Sequence, residues 1–136
     1  MNSSTIKEAY KEIFKSYNNP SIEQHIQKII ELDNYLPFTS TFFCITNTQN
    51  LNFEYVSKNM KACLGLDESD LKKGGMRYFW SRMHPDDVDT WLKALNGLME
   101  FTLSEIEVEK RSKMTYTWNY RLKNGNNEYM NILQNT

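Results

Sequence analysis

Cysteine, proline and glycine are all scarce in this sequence. It contains two cysteines, Cys44 and Cys63, together with three prolines and five glycines among 136 residues. Two cysteines without CxxC spacing exclude a disulfide scaffold and a cysteine-rich zinc site. Both lie among apolar neighbours, in FFCI and KACLGL, which indicates buried, reduced thiols.

An excess of charge of one sign and a long hydrophobic run are also missing. Lys plus Arg number 16 and Asp plus Glu number 17, so no global field attracts nucleic acid or anionic lipid, and no nucleic-acid partner is expected. No apolar run approaches the roughly 18 residues of a membrane span and no signal peptide opens the chain, so the expected location is the cytoplasm. The 40% hydrophobic content predicts a single domain with a real core.

The first 36 residues have the pattern of a helical extension. Apolar residues at helical spacing predict an amphipathic helix over residues 3–17. Ser21 is a suitable cap for a second helix, and Pro37 ends that region. His25 falls on the apolar face of the second helix, which predicts a packed side chain.

Residues 37–136 carry two regions of strand signals with a region of helix signals between them. Two hairpins are predicted, one from strands at 39–46 and 51–57, the other from strands at 114–123 and 127–135 around Asn124-Gly125. Between them we expect a short helix at 59–66, a helical turn that Gly74-Gly75 breaks, a short helix at 76–83 and a long helix from Pro85. Residues 102–113 fit either an exposed strand or the end of a helix, and we expect an irregular segment with a helical turn there. Strands segregated from helices in this way predict the α+β class with an antiparallel sheet.

Several landmarks in this order resemble a PAS domain over residues 37–136: FEYVSKN followed by CLGL, MHPDD opening the long helix, and YRLKNGNNEYMNILQ across the last hairpin. The resemblance implies a five-stranded antiparallel sheet with helices on one face. The stretch from FTSTFFCIT to TWNYRLKN is more closely similar to input domains of bacterial LuxR-type regulators. It implies a non-enzymatic sensory and dimerisation module. The alternatives are a ligand-free interaction scaffold and the input domain of a histidine kinase or cyclase.

Motifs of catalysis are not found: the sequence has no GxSxG, Walker or HExxH pattern, so no catalytic or metal-binding residue is predicted. His84, Asp86 and Asp87 fit a capped helix start better than a metal or acid–base cluster. Haem is not expected, because His84 is engaged at that cap and His25 lies outside the domain. Covalent flavin is not expected either, because neither cysteine lies in the motif that flavin-binding PAS domains use.

A pocket for a small apolar or aromatic ligand is the remaining hypothesis, against the alternative of a filled, dry core. Strand alternation places Trp118 and Tyr120 toward the helices, joined by Met130 and Ile132 from the last strand. The strand parity of the PAS family adds Phe42, Cys44 and Met60.

The resemblance also implies that the final, central strand is missing from this chain, since PAS strands lie in the spatial order two, one, five, four, three. Two outcomes are predicted: a segment from elsewhere fills the gap, or the first and fourth strands pair directly. We further expect a homodimer, formed through the N-terminal helices or a sheet face.

Overall fold

The computed structural model describes residues 7–9, 11–12 and 22–136. They are mixed helix and strand with two small antiparallel sheets, which confirms the general α+β class. The elements in chain order are α1 (Ile22–Asp33), β1 (Cys44–Asn47), β2 (Asn52–Val56), α2 (Lys58–Leu64), α3 (Glu68–Ser81), α4 (Pro85–Glu105), α5 (Val108–Arg111), β3 (Thr117–Lys123) and β4 (Tyr129–Asn135).

The N-terminal prediction is described only in part. Residues 7–9 and 11–12 are helical, and the rest of the helix expected over 3–17 lies outside the described residues. The second helix is present as α1, but its face differs from the prediction because Ile26, Ile30 and Asp33 are its less exposed positions. His25 is adjacent in sequence to Ile26 but is itself exposed, so the prediction that its side chain is packed is wrong.

The chain divides into two compact units. The first-hairpin unit contains the described residues 22–82 and 123–128, and the second-hairpin unit contains residues 83–122 and 129–136 with the described residues before position 13. In the first-hairpin unit β1 pairs with β2 in antiparallel register, Cys44 opposite Val56, with an irregularity between Ile45 and Thr46. Phe53 of β2 meets Phe79 of α3 edge to face, with ring centroids 6.3 Å apart.

Two buried polar side chains hold the connection between α1 and β1. Asp33 accepts hydrogen bonds from the Tyr55 hydroxyl at 2.5 Å and from the Lys58 backbone N–H at 3.0 Å. Burial and the neighbouring Asp33 carboxylate raise the pKa of Tyr55 to about 12. Asn59 donates from Nδ2 to the carbonyl oxygens of Pro37 and Thr41 at 3.1 and 3.0 Å. The connection is therefore fixed from both sides although it has no regular structure.

These contacts explain why the first strand is shorter than predicted. The expected strand begins at residue 39, whereas β1 begins at Cys44, because the carbonyl oxygens of Thr39 and Thr41 accept from the Cys63 thiol and the Asn59 amide instead of from a ladder. Cys44 is exposed, not buried, because β1 pairs with β2 alone in the described ladders. Cys63 is partly buried, and its thiol donates to the Thr39 carbonyl oxygen at 3.0 Å.

The second-hairpin unit combines β3 and β4 with the long helix α4. Tyr116 and Thr136 exchange both backbone hydrogen bonds, at 2.7 and 2.9 Å, which sets the register of the hairpin. The other edge of β3 forms a bridge between Leu122 and Met83. The helical turn expected within residues 102–113 is present as α5, whereas the start of that segment belongs to α4, which continues to Glu105.

The sheet differs from the predicted arrangement. Among the described residues β1 pairs with β2 and β4 pairs with β3, in two separate two-stranded ladders. The direct pairing of the first and fourth strands, one of the two predicted outcomes, is therefore wrong. Residues 102–113 supply no strand, since they belong to α4, α5 and the turns beside them.

Glycine is required where backbone segments approach each other closely. Gly75 interrupts α3 with φ 60° and ψ −151°, as the predicted break requires, and the next N–H, of Met76, donates to the Leu51 carbonyl oxygen at 2.8 Å. In the β3–β4 connection, the N–H of Gly125 donates to the Leu64 oxygen at 2.7 Å. A Cβ atom on Gly125 would lie 1.9 Å from the carbonyl oxygen of Gly65.

We expect Gly75→Ala to lower the free energy of unfolding by about 1–3 kcal/mol, because it forces a side chain into a left-handed conformation. Its Cβ would also lie 2.6 Å from the Leu51 carbonyl oxygen. Gly97→Ala is the matched control: Gly97 lies in α4 with nothing within 4 Å of the added carbon. The control should stabilise by about 0.5–1 kcal/mol. Urea unfolding measures both changes, and equal effects would contradict the strained geometry at Gly75.

Candidate functional site

The candidate site lies in the second-hairpin unit, where the start of α4 is fixed to β3. His84 is the N-cap of α4, and its Nδ1 accepts the Asp86 backbone N–H at 3.1 Å. Pro85 follows at the first helical position, where its missing N–H costs nothing. The backbone N–H of His84 donates to the Arg121 carbonyl oxygen at 2.9 Å. His84 is thus a helix cap, as the HPDD pattern predicts.

Asp87 and Arg121 form the strongest polar contact of this unit. The Asp87 carboxylate accepts from the Arg121 backbone N–H at 2.8 Å and from the guanidinium Nε and Nη2 at 2.9 and 2.6 Å. These hydrogen bonds, first the side-chain and then the backbone ones, lower the pKa of Asp87 to about 2. The same carboxylate raises the pKa of Arg121. The first turn of α4 is thereby held on the middle of β3.

One face of the β3–β4 hairpin is less exposed than the other, as the alternation of apolar and polar residues along the strands predicts. The even-numbered positions of both strands are less exposed than their odd-numbered neighbours. Tyr120 is 5% exposed and Ile132 is 9% exposed, whereas Trp118 and Met130 are partly buried. These four predicted site residues therefore share one sheet face.

Helix α4 covers this face with aromatic and polar contacts. The rings of Trp91 and Trp118 meet edge to face with centroids 6.1 Å apart, and Tyr116 stacks on Trp118 at 6.1 Å and 11°. The Tyr116 hydroxyl is hydrogen bonded to Oγ1 of the fully buried Thr102. Thr102 in turn donates to the Leu98 carbonyl oxygen at 2.7 Å. We call the surface formed by Tyr116, Trp118, Tyr120, Met130 and Ile132 the aromatic face.

The polar atoms of the aromatic face are not equally satisfied. The Tyr120 hydroxyl donates to Oε1 of Gln134 at 2.7 Å. The indole N–H of Trp118 is buried and has no hydrogen-bond acceptor among the residues that the structure describes. A buried donor without an acceptor costs free energy, so an acceptor atom brought there by a ligand would be stabilised.

The other three predicted site residues lie in the first-hairpin unit. Met60 is fully buried within α2, Phe42 is partly buried just before β1, and Cys44 is exposed. The structure thus brings four of the seven predicted residues onto one face and places these three in a different compact unit.

Sequence reasoning missed several residues of the site. Tyr116 and Gln134 have the same parity as Trp118, so the alternation contained the signal for both. Thr102 and the partnership of Asp87 with Arg121 had no local signal. Asp87 and Arg121 are 34 positions apart, and a solvent-side arginine on a strand does not indicate which acid it will meet.

Two negative findings limit the chemistry of the described residues. Among residues 7–9, 11–12 and 22–136, no group of three His, Cys, Asp or Glu side chains is placed to hold a metal ion. Within the same ranges, no helix combines the length and the apolar character that a bilayer span requires.

Comparison of the chain with protein-family models, with curated proteins and with solved structures finds no match.

The Asp87–Arg121 contact predicts a defined pH dependence of stability. The folded-state pKa of Asp87, about 2, is below its ordinary value of 3.8. The carboxylate is therefore favoured in the folded state, so its contribution is complete above about pH 5 and is lost as the pH falls from about 4 to 2. Urea unfolding of the wild-type chain and Asp87→Asn should show a constant difference in unfolding free energy above about pH 5 and a shrinking one below pH 4.

Asp86→Asn is the matched control, since Asp86 is adjacent and its side chain is 79% exposed. Its difference from the wild type should change much less over the same acid range. An Asp87→Asn difference that stays constant down to pH 2 would contradict the role given to the Arg121 contact.

Proposed function

We propose that this chain is a PAS-like sensory and dimerisation module without enzymatic activity, belonging to a bacterial LuxR-type transcriptional regulator of the cytoplasm. A small apolar or aromatic ligand would bind against the aromatic face, beneath α4. The alternatives remain a ligand-free interaction scaffold and the input domain of a histidine kinase or cyclase. The identity of an output domain encoded with this chain would distinguish a regulator from a kinase or cyclase.

The unsatisfied indole N–H of Trp118 is the observation that carries the ligand proposal. A dry core made only for stability would gain from an acceptor beside this buried donor, or from a phenylalanine in its place. The aromatic rings around it offer large contact area and prefer planar partners. A planar ligand with a carbonyl or carboxylate oxygen would satisfy both features.

Helix α4 is the element through which binding would be transmitted. Its Trp91 packs against Trp118 of the aromatic face, and its first turn is fixed to β3 by the contact between Asp87 and Arg121. A ligand that stabilises one packing of α4 against the hairpin shifts the population toward that packing. The size of the shift is limited by the difference in the ligand's affinity for the two packings.

Thermal denaturation against a library of planar carboxylates and ketones tests this proposal. A compound present at a hundred times its dissociation constant should stabilise the fold by about 2.7 kcal/mol. Trp118→Phe retains an aromatic ring but removes the N–H, so it should reduce the stabilisation by the same compound. Asn119→Ala, on the exposed side of β3, should leave the stabilisation unchanged.

Two results would contradict the ligand proposal. If Trp118→Phe responds as strongly as the wild type, the compound does not use the indole N–H and the aromatic face is not its site. If no compound raises the melting temperature, the aromatic face is a filled core. The ligand-free scaffold would then be the better description of the chain.

Dimerisation is supported by the opposite face of the same hairpin. On β4, Leu133 is 77% exposed and Tyr129 is 42% exposed, both at odd-numbered positions. Exposed apolar side chains on one sheet face are typical of an interaction surface. We infer that two copies pair through this outer face. Of the two N-terminal helices, which form the other expected interface, the first lies largely outside the described residues and the second is α1.

Leu133→Glu should convert the expected dimer to a monomer in sedimentation velocity, because it places a charge at the centre of the proposed interface. Since Leu133 is exposed, the melting temperature of the monomer should change little. Gln49→Glu in the exposed β1–β2 turn adds the same charge as a control and should leave the dimer intact. A wild-type chain that is monomeric, or a variant that remains dimeric, would contradict this interface.

A further inference from the structure

The first-hairpin unit carries an open groove that the proposed sensory function does not use. It has a volume of about 480 Å³ and is formed by the connection after α1, by α2 and by the segment that leads into α3. The residues that line it are Phe38, Lys58, Lys61, Ala62, Gly65, Leu66 and Asp67. We call this surface the lysine groove.

The lysine groove combines an apolar base with cationic side chains. Leu66 is buried at 3% exposure, and the ring of Phe38 is 75% exposed. The ammonium group of Lys58 lies 5.1 Å from the centre of the Phe38 ring, in the geometry of a cation–π contact. Lys61 is three positions further along α2, so both lysines lie on one side of that helix.

The charges of the groove are not balanced within the described chain. Neither Lys58 nor Lys61 forms an ion pair with a residue that the structure describes. The only carboxylate in the lining belongs to Asp67, which caps α3 by accepting the Ser69 backbone N–H at 2.7 Å. Hydrogen bonds from the side chain and then the backbone of Ser69, together with the nearby Lys61, lower the pKa of Asp67. An excess positive charge remains for a partner.

The exposed aromatic side chain of the groove, Phe38, is held on a fixed backbone. Its ring is 75% exposed. Asn59, which is 3% exposed, donates to the carbonyl oxygens of Pro37 and Thr41 on either side of Phe38, and Asp33 accepts the Lys58 backbone N–H. A surface that is already ordered loses less conformational entropy when a partner binds.

We propose that the lysine groove binds an acidic peptide segment that carries apolar side chains. Carboxylates of the peptide would pair with Lys58 and Lys61, and its apolar side chains would cover Phe38 and Leu66. A small molecule is a poorer fit, because high-affinity small-molecule sites enclose most of the ligand and this groove is open. Nucleic acid is a poorer fit as well, because two cations replace few of the counterions that its binding must release.

Fluorescence anisotropy with the full chain tests the proposal. The probe is a short fluorescein-labelled peptide in which glutamates alternate with leucine and phenylalanine. We expect a dissociation constant on the order of 100 µM, since exposed ion pairs contribute little each. Affinity should fall as salt is raised from about 50 to 500 mM. A peptide with glutamine for glutamate, and one with alanine for leucine and phenylalanine, should both bind at least about fivefold more weakly.

Matched variants identify the surface that is used. The double variant Lys58→Glu and Lys61→Glu, and separately Phe38→Ala, should weaken binding at least about tenfold. All three side chains lie at the surface of the groove, and unchanged melting temperatures would show that these variants fold. Lys73→Glu, an exposed lysine of α3 outside the groove, is the control and should bind as the wild type does. Trp118→Phe should also bind normally, which separates this test from that of the sensory proposal.

Three results would overturn the proposal. One is the absence of binding at millimolar peptide, and another is binding that the groove variants do not weaken. The third is self-association of the unliganded chain that depends on Lys58 and Lys61 without peptide binding, since the occupant would then be a second copy.

Discussion

The contact between Asp87 and Arg121 is the constraint on which the second-hairpin unit depends. Arg121 uses its backbone N–H, its carbonyl oxygen and its guanidinium group, and all three hold residues at the start of α4. Because α4 is 21 residues long, fixing its first turn also sets the direction in which Trp91 and Thr102 approach the hairpin. The aromatic face is therefore positioned by a polar contact at its border, and its own packing does not have to define the angle of the helix.

In the first-hairpin unit, hydrogen bonds of buried polar side chains likewise fix the position of the backbone. Asp33, at the end of α1, accepts hydrogen bonds from Tyr55 of β2 and from the backbone N–H of Lys58 of α2. Asn59 donates to the carbonyl oxygens of Pro37 and Thr41 in the connection, which has no ladder and no helix of its own. Such contacts contribute modestly to net stability, but leaving them unmade costs more, so they select one conformation of the connection. In both units, polar side chains decide the geometry and apolar side chains supply most of the driving force.

The sequence was informative wherever the signal is local. Pro85 after His84 located the start of α4, Asn124-Gly125 located the last turn, and alternation assigned Trp118 and Tyr120 to one face of β3. In each case, a residue's role depends on neighbours within a few positions, which is the range that periodicity and capping rules describe.

The errors arose where distant residues decide the outcome. Thr39 and Thr41 have strand propensity, yet a side chain 18 or more positions away binds them and shortens β1. Cys44 has apolar neighbours but lies in a strand with one partner in the described ladders, so its burial could not be deduced from composition. His25 is predicted on the apolar face of α1 but is exposed, because in a short helix a face shifted by one position fits the same apolar pattern. The continuous sheet implied by the PAS resemblance likewise depends on pairings that no local pattern encodes.

The close approach of Gly125 to Gly65 has a consequence for recognising homologues. Position 125 excludes any side chain because the Gly65 oxygen occupies the place of its Cβ, and position 65 has φ 61° at the end of α2. The two glycines are 60 positions apart, so a chance match at both is uncommon in an unrelated sequence. A distant sequence that retains this pair satisfies the steric condition for the same close contact between the end of α2 and the last turn. A sequence with a larger residue at position 125 must connect its last hairpin differently.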